Sequence, residues 1–344
     1  MTKINKRVNK DVVTDLVDQI TEESKKEVKK KADYDYTKLV STGSLLLDLA
    51  ISGNKGGGIP GGVILEIFGA AGSGKTAVLS EIGANAQSKG GQVMFLDPEA
   101  RLDQEYARIY GIKLKKEDYH RPDTVTEMFD LIYNWEPKKS DKINVIATDS
   151  LAALSTDLEM ESADKMGMKR AKSFSEGLRK TARIISNNGW IIACSNQVRD
   201  GQFGETTPGG HAIPFYSSLR IRINQVGKIE REIDINGKKV KKSIGIESSC
   251  YIRKSTIDDP YRECKIYIRF GYGIDDVMGN LQYLKDMTRA TVYDCLDGKT
   301  YQSLEKAIIY VEENNLQDKL KDNVIEMWHL VEEKFKTNRQ PKIR

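Results

Sequence analysis

The chain has 344 residues, 39% of them hydrophobic and 30% charged, with a formal net charge of +4. That length and composition describe a globular chain with one large core and small appendages, and exclude a disordered or membrane-embedded protein. The charge of +4 is too small to mark a nucleic-acid binder, so any such site has to be argued locally.

The start, Met1 to Arg7, lacks the apolar stretch of a signal peptide. Residues 8–31 follow as an amphipathic, mostly charged segment. Val12, Val13, Leu16, Val17 and Ile20 recur at helical spacing, and Glu22/Lys26 and Glu27/Lys31 are i, i+4 pairs. So narrow a stripe cannot hold a helix alone. The segment either docks on another surface or stays a solvated tail, and residues 32–38 read as an extended linker.

Ser41-Thr42-Gly43-Ser44 before Leu45 to Ala50 predicts a capped short helix. Glycines from Gly53 to Gly62 lead into Val63 to Phe68, a buried strand. Then comes Gly69-Ala70-Ala71-Gly72-Ser73-Gly74-Lys75-Thr76, the pattern G-x-x-x-x-G-K-[ST], and a helix from Ala77. A chain with 28 glycines can match such a pattern by chance, but strand and helix flank it on the correct sides. In that setting the loop's N–H groups and the helix N-terminus cradle phosphates. Lys75 reaches the β- and γ-phosphates, and the Thr76 hydroxyl binds Mg2+. The residues themselves therefore predict a nucleotide site.

Further buried strands are expected at 92–97, 143–148 and 190–195, with helices at 125–135 and 172–187 between them. Such alternation predicts a parallel sheet with helices on both faces. Asp149 ends the strand at 143–148, at the edge where ligands of such sheets bind. It suits a Mg2+ carboxylate or a helix cap, a role Ser150 can also fill. Glu99, just past Asp97-Pro98, is a candidate base for an attacking water or a solvated turn residue. Gln197 suits a γ-phosphate contact and an ordinary loop position equally.

From Ser217 the pattern changes. Leu219/Ile221/Ile223 alternate with Arg220/Arg222/Asn224. After a turn at Asn236-Gly237, Cys264/Ile266/Ile268/Phe270 alternate with Lys265/Tyr267/Arg269. These read as half-exposed antiparallel strands extending the sheet. From about Asp276 the chain turns helical, with stripes at 304–311 and 324–331. The expected organisation is a docking segment and linker (1–38), an ATPase core (39–275) and a C-terminal helical lobe (276–344). Cys194, Cys250, Cys264 and Cys295 are widely spaced without a C-x-x-C pair. They indicate neither a zinc site nor a disulfide framework, as expected of a reducing, cytoplasmic setting.

Over nearly its full length the chain resembles the RecA-type recombinases. The resemblance rests on ordered matches: Ser41 to Ser44, the glycine cluster, the phosphate loop, Phe95 to Glu99 with Leu102-Asp103 and Tyr106-Ala107-Arg108, and Asp149 to Leu154. It continues through Met166-Gly167, Asn196 to Arg199, Gly209 to Ala212 and Phe215-Tyr216. Divergence between the motifs resembles a phage-encoded or outlying member.

The resemblance implies a RecA-like core, ATP with Mg2+, and a homo-oligomeric helical filament. It implies Glu99 as the residue activating water, Tyr106 stacking on adenine, Asp103 beside the base and Gln197 as γ-phosphate sensor. Phe215 would carry the signal across the subunit interface, and Lys254 would reach the neighbour's ATP. Thr256 stands where a second lysine is expected. Segments 159–167 and 199–210 match the two DNA-binding loops. Met166, Gly167, Lys172, Ser175, Arg179, Arg199, Phe203, Gly209 and Gly210 are the implied contacts, with Met166 and Phe203 suited to wedge between bases.

The expected activity is DNA-stimulated ATP hydrolysis driving homologous pairing and strand exchange. Single- and double-stranded DNA are the expected partners, with a single-strand-binding protein or recombination mediator besides, and no membrane. A hexameric RecA-fold motor of helicase type, or a filament that coats DNA without exchange, are the alternatives.

Overall fold

A computed structural model describes residues 34–102, 104–156, 166–201, 204–337 and 339. The expected amphipathic segment 8–31 lies outside them. Strands β1 (Leu39–Val40) and β2 (Ile59–Pro60) pair around helix α1 (Leu45–Ser52). The Ser44 hydroxyl accepts from the Leu47 N–H to start α1, and Gly53 at φ 66° ends it. Because α1 is apolar nearly all round, it is buried throughout.

Next come β3 (Val63–Gly69), α2 (Lys75–Ser88), β4 (Val93–Leu96), α3 (Gln104–Ile109), β5 (Tyr119–His120), α4 (Val125–Tyr133) and β6 (Val145–Thr148). They are followed by α5 (Met166–Asn188), β7 (Ile191–Gln197), β8 (Arg199–Gly201), β9 (Gly204–Thr206) and α6 (Ala212–Tyr216). Last are β10 (Leu219–Ile235), β11 (Lys238–Ser255), β12 (Glu263–Arg269), β13 (Gly273–Ile274), α7 (Asp276–Thr288), β14 (Tyr293–Asp294), β15 (Thr300–Tyr301), α8 (Leu304–Glu313) and α9 (Gln317–Phe335).

The main sheet runs β13-β12-β11-β10-β3-β7-β6-β4-β5. From β10 to β5 neighbours are parallel, and from β10 to β13 they are antiparallel. This is the expected α/β class, a largely parallel sheet extended by antiparallel strands. The two-residue side-chain period divides the core. Leu65, Ile67, Phe95, Ala147 and Ala193 face α1 and α2, whereas Ile64, Met94, Ile146 and Ile192 face α4 and α5. Helices α4 and α5 approach so closely that a Cβ on Gly177 would lie 2.0 Å from Phe129 Cδ2.

Several expectations are corrected. The stretch after Asn236-Gly237 is itself a long strand, β11, which returns along β10 and separates it from β12. Strand β12 is half-exposed only in its first half, where Glu263 and Lys265 face outward; Tyr267, also expected outward, is only 6% accessible. It packs with Met278, Leu281 and Val311 of the C-terminal helices, which cover the outer face of β12 at that position. Helix α5 begins at Met166, so Met166 and Gly167 open a helix rather than end a loop. Segment 199–210 contains the β8–β9 hairpin, with Arg199 opposite Thr206, rather than irregular chain alone. At the C-terminal end Val324, Ile325 and Trp328 of α9 join the main core beside α1.

Candidate nucleotide site

The phosphate loop leaves β3 at Gly69 and enters α2 at Lys75. Its backbone is shaped by glycine: Gly72 and Gly74 take φ 74° and 98°, where a side chain is strained. A Cβ on Gly74 would also meet Ile268 Cδ1 at 2.3 Å, so β12 closes one wall. Another tie comes from β11, where the Ser248 hydroxyl donates to the Ser73 carbonyl at 3.0 Å.

Lys75 is 9% accessible, and its Nζ donates to the carbonyls of Gly69 (3.0 Å) and Ala70 (2.7 Å). Burial pushes this ammonium below its ordinary pKa, against the opposing pull of Asp149 and Glu99. The Thr76 hydroxyl donates to Asp149 Oδ2 at 2.5 Å, and the Ser195 hydroxyl donates to Asp149 Oδ1. Burial raises the Asp149 carboxyl despite those two donors. Glu99 Oε1 accepts from the Ser150 hydroxyl at 2.6 Å, and Oε2 lies 2.7 Å from Arg101 Nη1. The Asp149–Ser150 peptide is cis.

These residues suit a nucleotide polyphosphate with Mg2+. A Cβ on the exposed Gly72 would meet nothing within 4 Å, so the loop is open to solvent there. Ser73 Oγ is buried without a hydrogen-bond partner among the described residues. A hard carboxylate and a hydroxyl stand together, as oxygen-binding Mg2+ requires. Strand pairing brings Gln197 opposite Gly69, at the loop's first residue.

The other implied positions fall in three groups. Lys172 and Arg179 are exposed and Ser175 half-buried on one face of α5, with Lys172 3.9 Å from Glu176. Gly209 and Gly210 take φ 95° and 60° just before α6. Tyr106 lies on α3, Met166 and Gly167 on α5 and Arg199 on β8 by backbone alone, and Asp103 and Phe203 lie outside the described residues.

A family profile described as RecA N-terminal domain matches residues 4–275. The Protein RecA of Deinococcus radiodurans is 32% identical over 303 residues, covering 84% of this chain and 79% of that protein. The Protein RecA of Thermus aquaticus is 35% identical over 247 residues, covering 70% and 69%. The chain belongs to the RecA family.

For a RecA-type recombinase, the surface beyond α6 is as informative as the cradle. Phe215 is 75% accessible and meets Tyr216 edge-on at 5.1 Å. Lys254 Nζ donates to the carbonyls of Pro214 (2.8 Å) and Phe215 (3.0 Å), tying β11 to the end of α6. Burial and the neighbouring Arg220 push that ammonium down. Thr256 shares a hydrogen bond with the Tyr34 hydroxyl at 2.9 Å. Sequence reasoning missed Ser195 as a carboxylate anchor and took Ser150 only as an alternative cap. Their positions at the ends of β7 and β6 were the available signal.

Proposed function

We propose that this chain is an ATP-dependent recombinase that polymerises as a helical filament on single-stranded DNA and exchanges it with a homologous duplex. The observation carrying this reading is the convergence of Lys75, Thr76, Asp149 and Glu99 on one loop, with Gln197 leading from it into the β8–β9 hairpin. Bound Mg2+ would neutralise phosphate charge, with Thr76 and Asp149 holding it. The nucleotide-binding residues would be Gly69 to Thr76, with Asp103 and Tyr106 at the base and Lys254 acting from the neighbouring subunit. Lys75 would exchange its loop carbonyls for phosphate oxygens. Glu99, held by Ser150, would take the proton of the attacking water as ATP becomes ADP and phosphate.

We assign DNA contact to Met166, Gly167, Lys172, Ser175, Arg179, Arg199, Phe203, Gly209 and Gly210, and subunit contact to Phe215. Residues 1–38 would dock on a neighbouring subunit, and 276–344 would form a C-terminal lobe. Negative-stain imaging with single-stranded DNA and a slowly hydrolysed ATP analogue tests the assembly, and homologous pairing with ATP tests the exchange. Helical filaments that pair homologous strands are expected. Closed rings, or filaments without pairing, would refute this reading.

A further inference from the structure

Strand β3 carries a buried charged residue, Glu66, between Ile64 and Phe68 on one face. Glu66 is 0% accessible, flanked in sequence by the buried Leu65 and Ile67. Its Oε2 accepts from Arg220 Nε at 2.5 Å, and the Arg220 guanidinium lies 4.6 Å over the Phe68 ring. Its Oε1 accepts from Asn196 Nδ2 at 2.9 Å.

Asn196, also 0% accessible, uses the other Nδ2 proton on the Pro208 carbonyl at 3.0 Å, and its Oδ1 accepts the Gln197 N–H at 3.0 Å. Only one amide orientation meets these partners. Turning it over would set Oδ1 against two acceptors and Nδ2 against an N–H. Gln197 opens the segment 199–210 and Pro208 lies at its exit, so one side chain grips both ends. In the sheet Asn196 stands opposite Phe68, one residue before the phosphate loop. A buried ion pair adds little net stability over apolar residues of like volume, so a role in positioning accounts better for Glu66 and Arg220 here.

We propose that Asn196 is a positioning residue, a clasp that moves the exit of segment 199–210 together with Gln197. Glu66, oriented by Arg220, sets the direction of its amide. A displacement of Gln197 at the cradle then reaches both ends of the segment at once. This rests on the reading above, in which Gln197 responds to nucleotide and the segment meets DNA.

The test is Asn196→Asp, which keeps the shape and the Gln197 contact but offers no proton to Glu66 or Pro208. Binding to a fluorescein-labelled oligo-dT is measured by anisotropy with Mg2+ and either an ATP analogue or ADP, alongside nucleotide affinity without DNA and Tm. The wild type should prefer the ATP state. Asn196→Asp should lose at least tenfold of that preference, with nucleotide affinity within about twofold of wild type. Because a buried carboxylate can impair folding, Asn196→Asp/Glu66→Gln is the second variant. There the new amide on β3 donates to the new carboxylate on β7 and accepts from Arg220, and only the Pro208 carbonyl stays without a donor. It should recover the wild-type Tm but not the preference. If it recovers both, or if folded Asn196→Asp keeps the wild-type ratio, Asn196 is structural only. A wild type without any ATP preference would overturn the coupling reading itself, and the clasp with it.

Discussion

The Ser150 hydroxyl donates to Glu99 Oε1 at 2.6 Å, although the two residues lie on separate loops beyond β6 and β4. Ser150 directly follows Asp149, so one residue supplies a carboxylate and the next holds another. One side chain would hold metal, and the next aims the proposed base. That oxygen is fixed while Oε2 faces the exposed Arg101, a surface pair that contributes little. Glu99→Gln should keep ATP affinity and lose about 100- to 10,000-fold in turnover, since an amide cannot take the proton. Ser150→Ala should lose about tenfold, by freeing the Glu99 rotamer. Single-turnover hydrolysis checks both, and near-wild-type rates in Glu99→Gln would remove it from the chemistry.

At the phosphate loop, Gly74→Ala faces two obstacles, a φ of 98° and a Cβ placed 2.3 Å from Ile268 Cδ1. ATP affinity should fall at least tenfold. Adding Ile268→Ala removes the contact but not the strained dihedral, so the double variant should recover only part of the loss. Equilibrium dialysis with labelled ATP measures it; full recovery would mean the backbone conformation is not limiting.

Glu81 on α2 is held above its ordinary pKa, at about 7, chiefly by burial, although it accepts the Ile274 N–H. Because the folded pKa exceeds the unfolded value, the folded chain keeps this proton longer as pH rises. Stability therefore falls between about pH 4.5 and 7, by on the order of 3 kcal/mol from this group. Glu81→Gln keeps the acceptor and should flatten that slope, leaving the variant more stable than wild type at pH 8. Urea midpoints at pH 5, 6.5 and 8 decide it, and parallel slopes in both proteins would exclude Glu81 as the source.

Gly177→Ala should raise the helix propensity of α5 by about 1 kcal/mol yet destabilise the protein. Its Cβ would fall 2.0 Å from Phe129 Cδ2 of α4, an overpacking cost of about 1–3 kcal/mol or more. Pairing it with Phe129→Leu should restore part of the stability. A chemical denaturation series measures the coupling, and additive effects would show that the helices separate freely.

Much of this was legible in the sequence because it obeys local rules. The β-branched run before Gly69 and the Lys-Thr that opens α2 fix the cradle without tertiary information. The cap at Ser44 and the buried runs at β4, β6 and β7 are equally local. What escaped depends on distant neighbours. Strand β5 is only Tyr119–His120, too short to show a period, and exists because β4 offers an edge. Tyr267 reads as outward until α7 and α8 cover it. Glu66 sits in an apolar run with nothing nearby to show that Arg220 and Asn196 complete it, 154 and 130 residues away.

Trp135 and Trp190 meet at 5.0 Å with their rings tilted by 63°, beside α4 and β7. Trp328 lies apart from them, near Tyr283 in the C-terminal helices. The chain thus carries two separate optical reporters. Trp328→Phe would leave fluorescence from the Trp135–Trp190 pair alone, and Trp135→Phe/Trp190→Phe would leave the C-terminal signal alone. Melting the two proteins side by side would tell whether both flanks of the sheet lose their packing in one transition, with no dye or label attached.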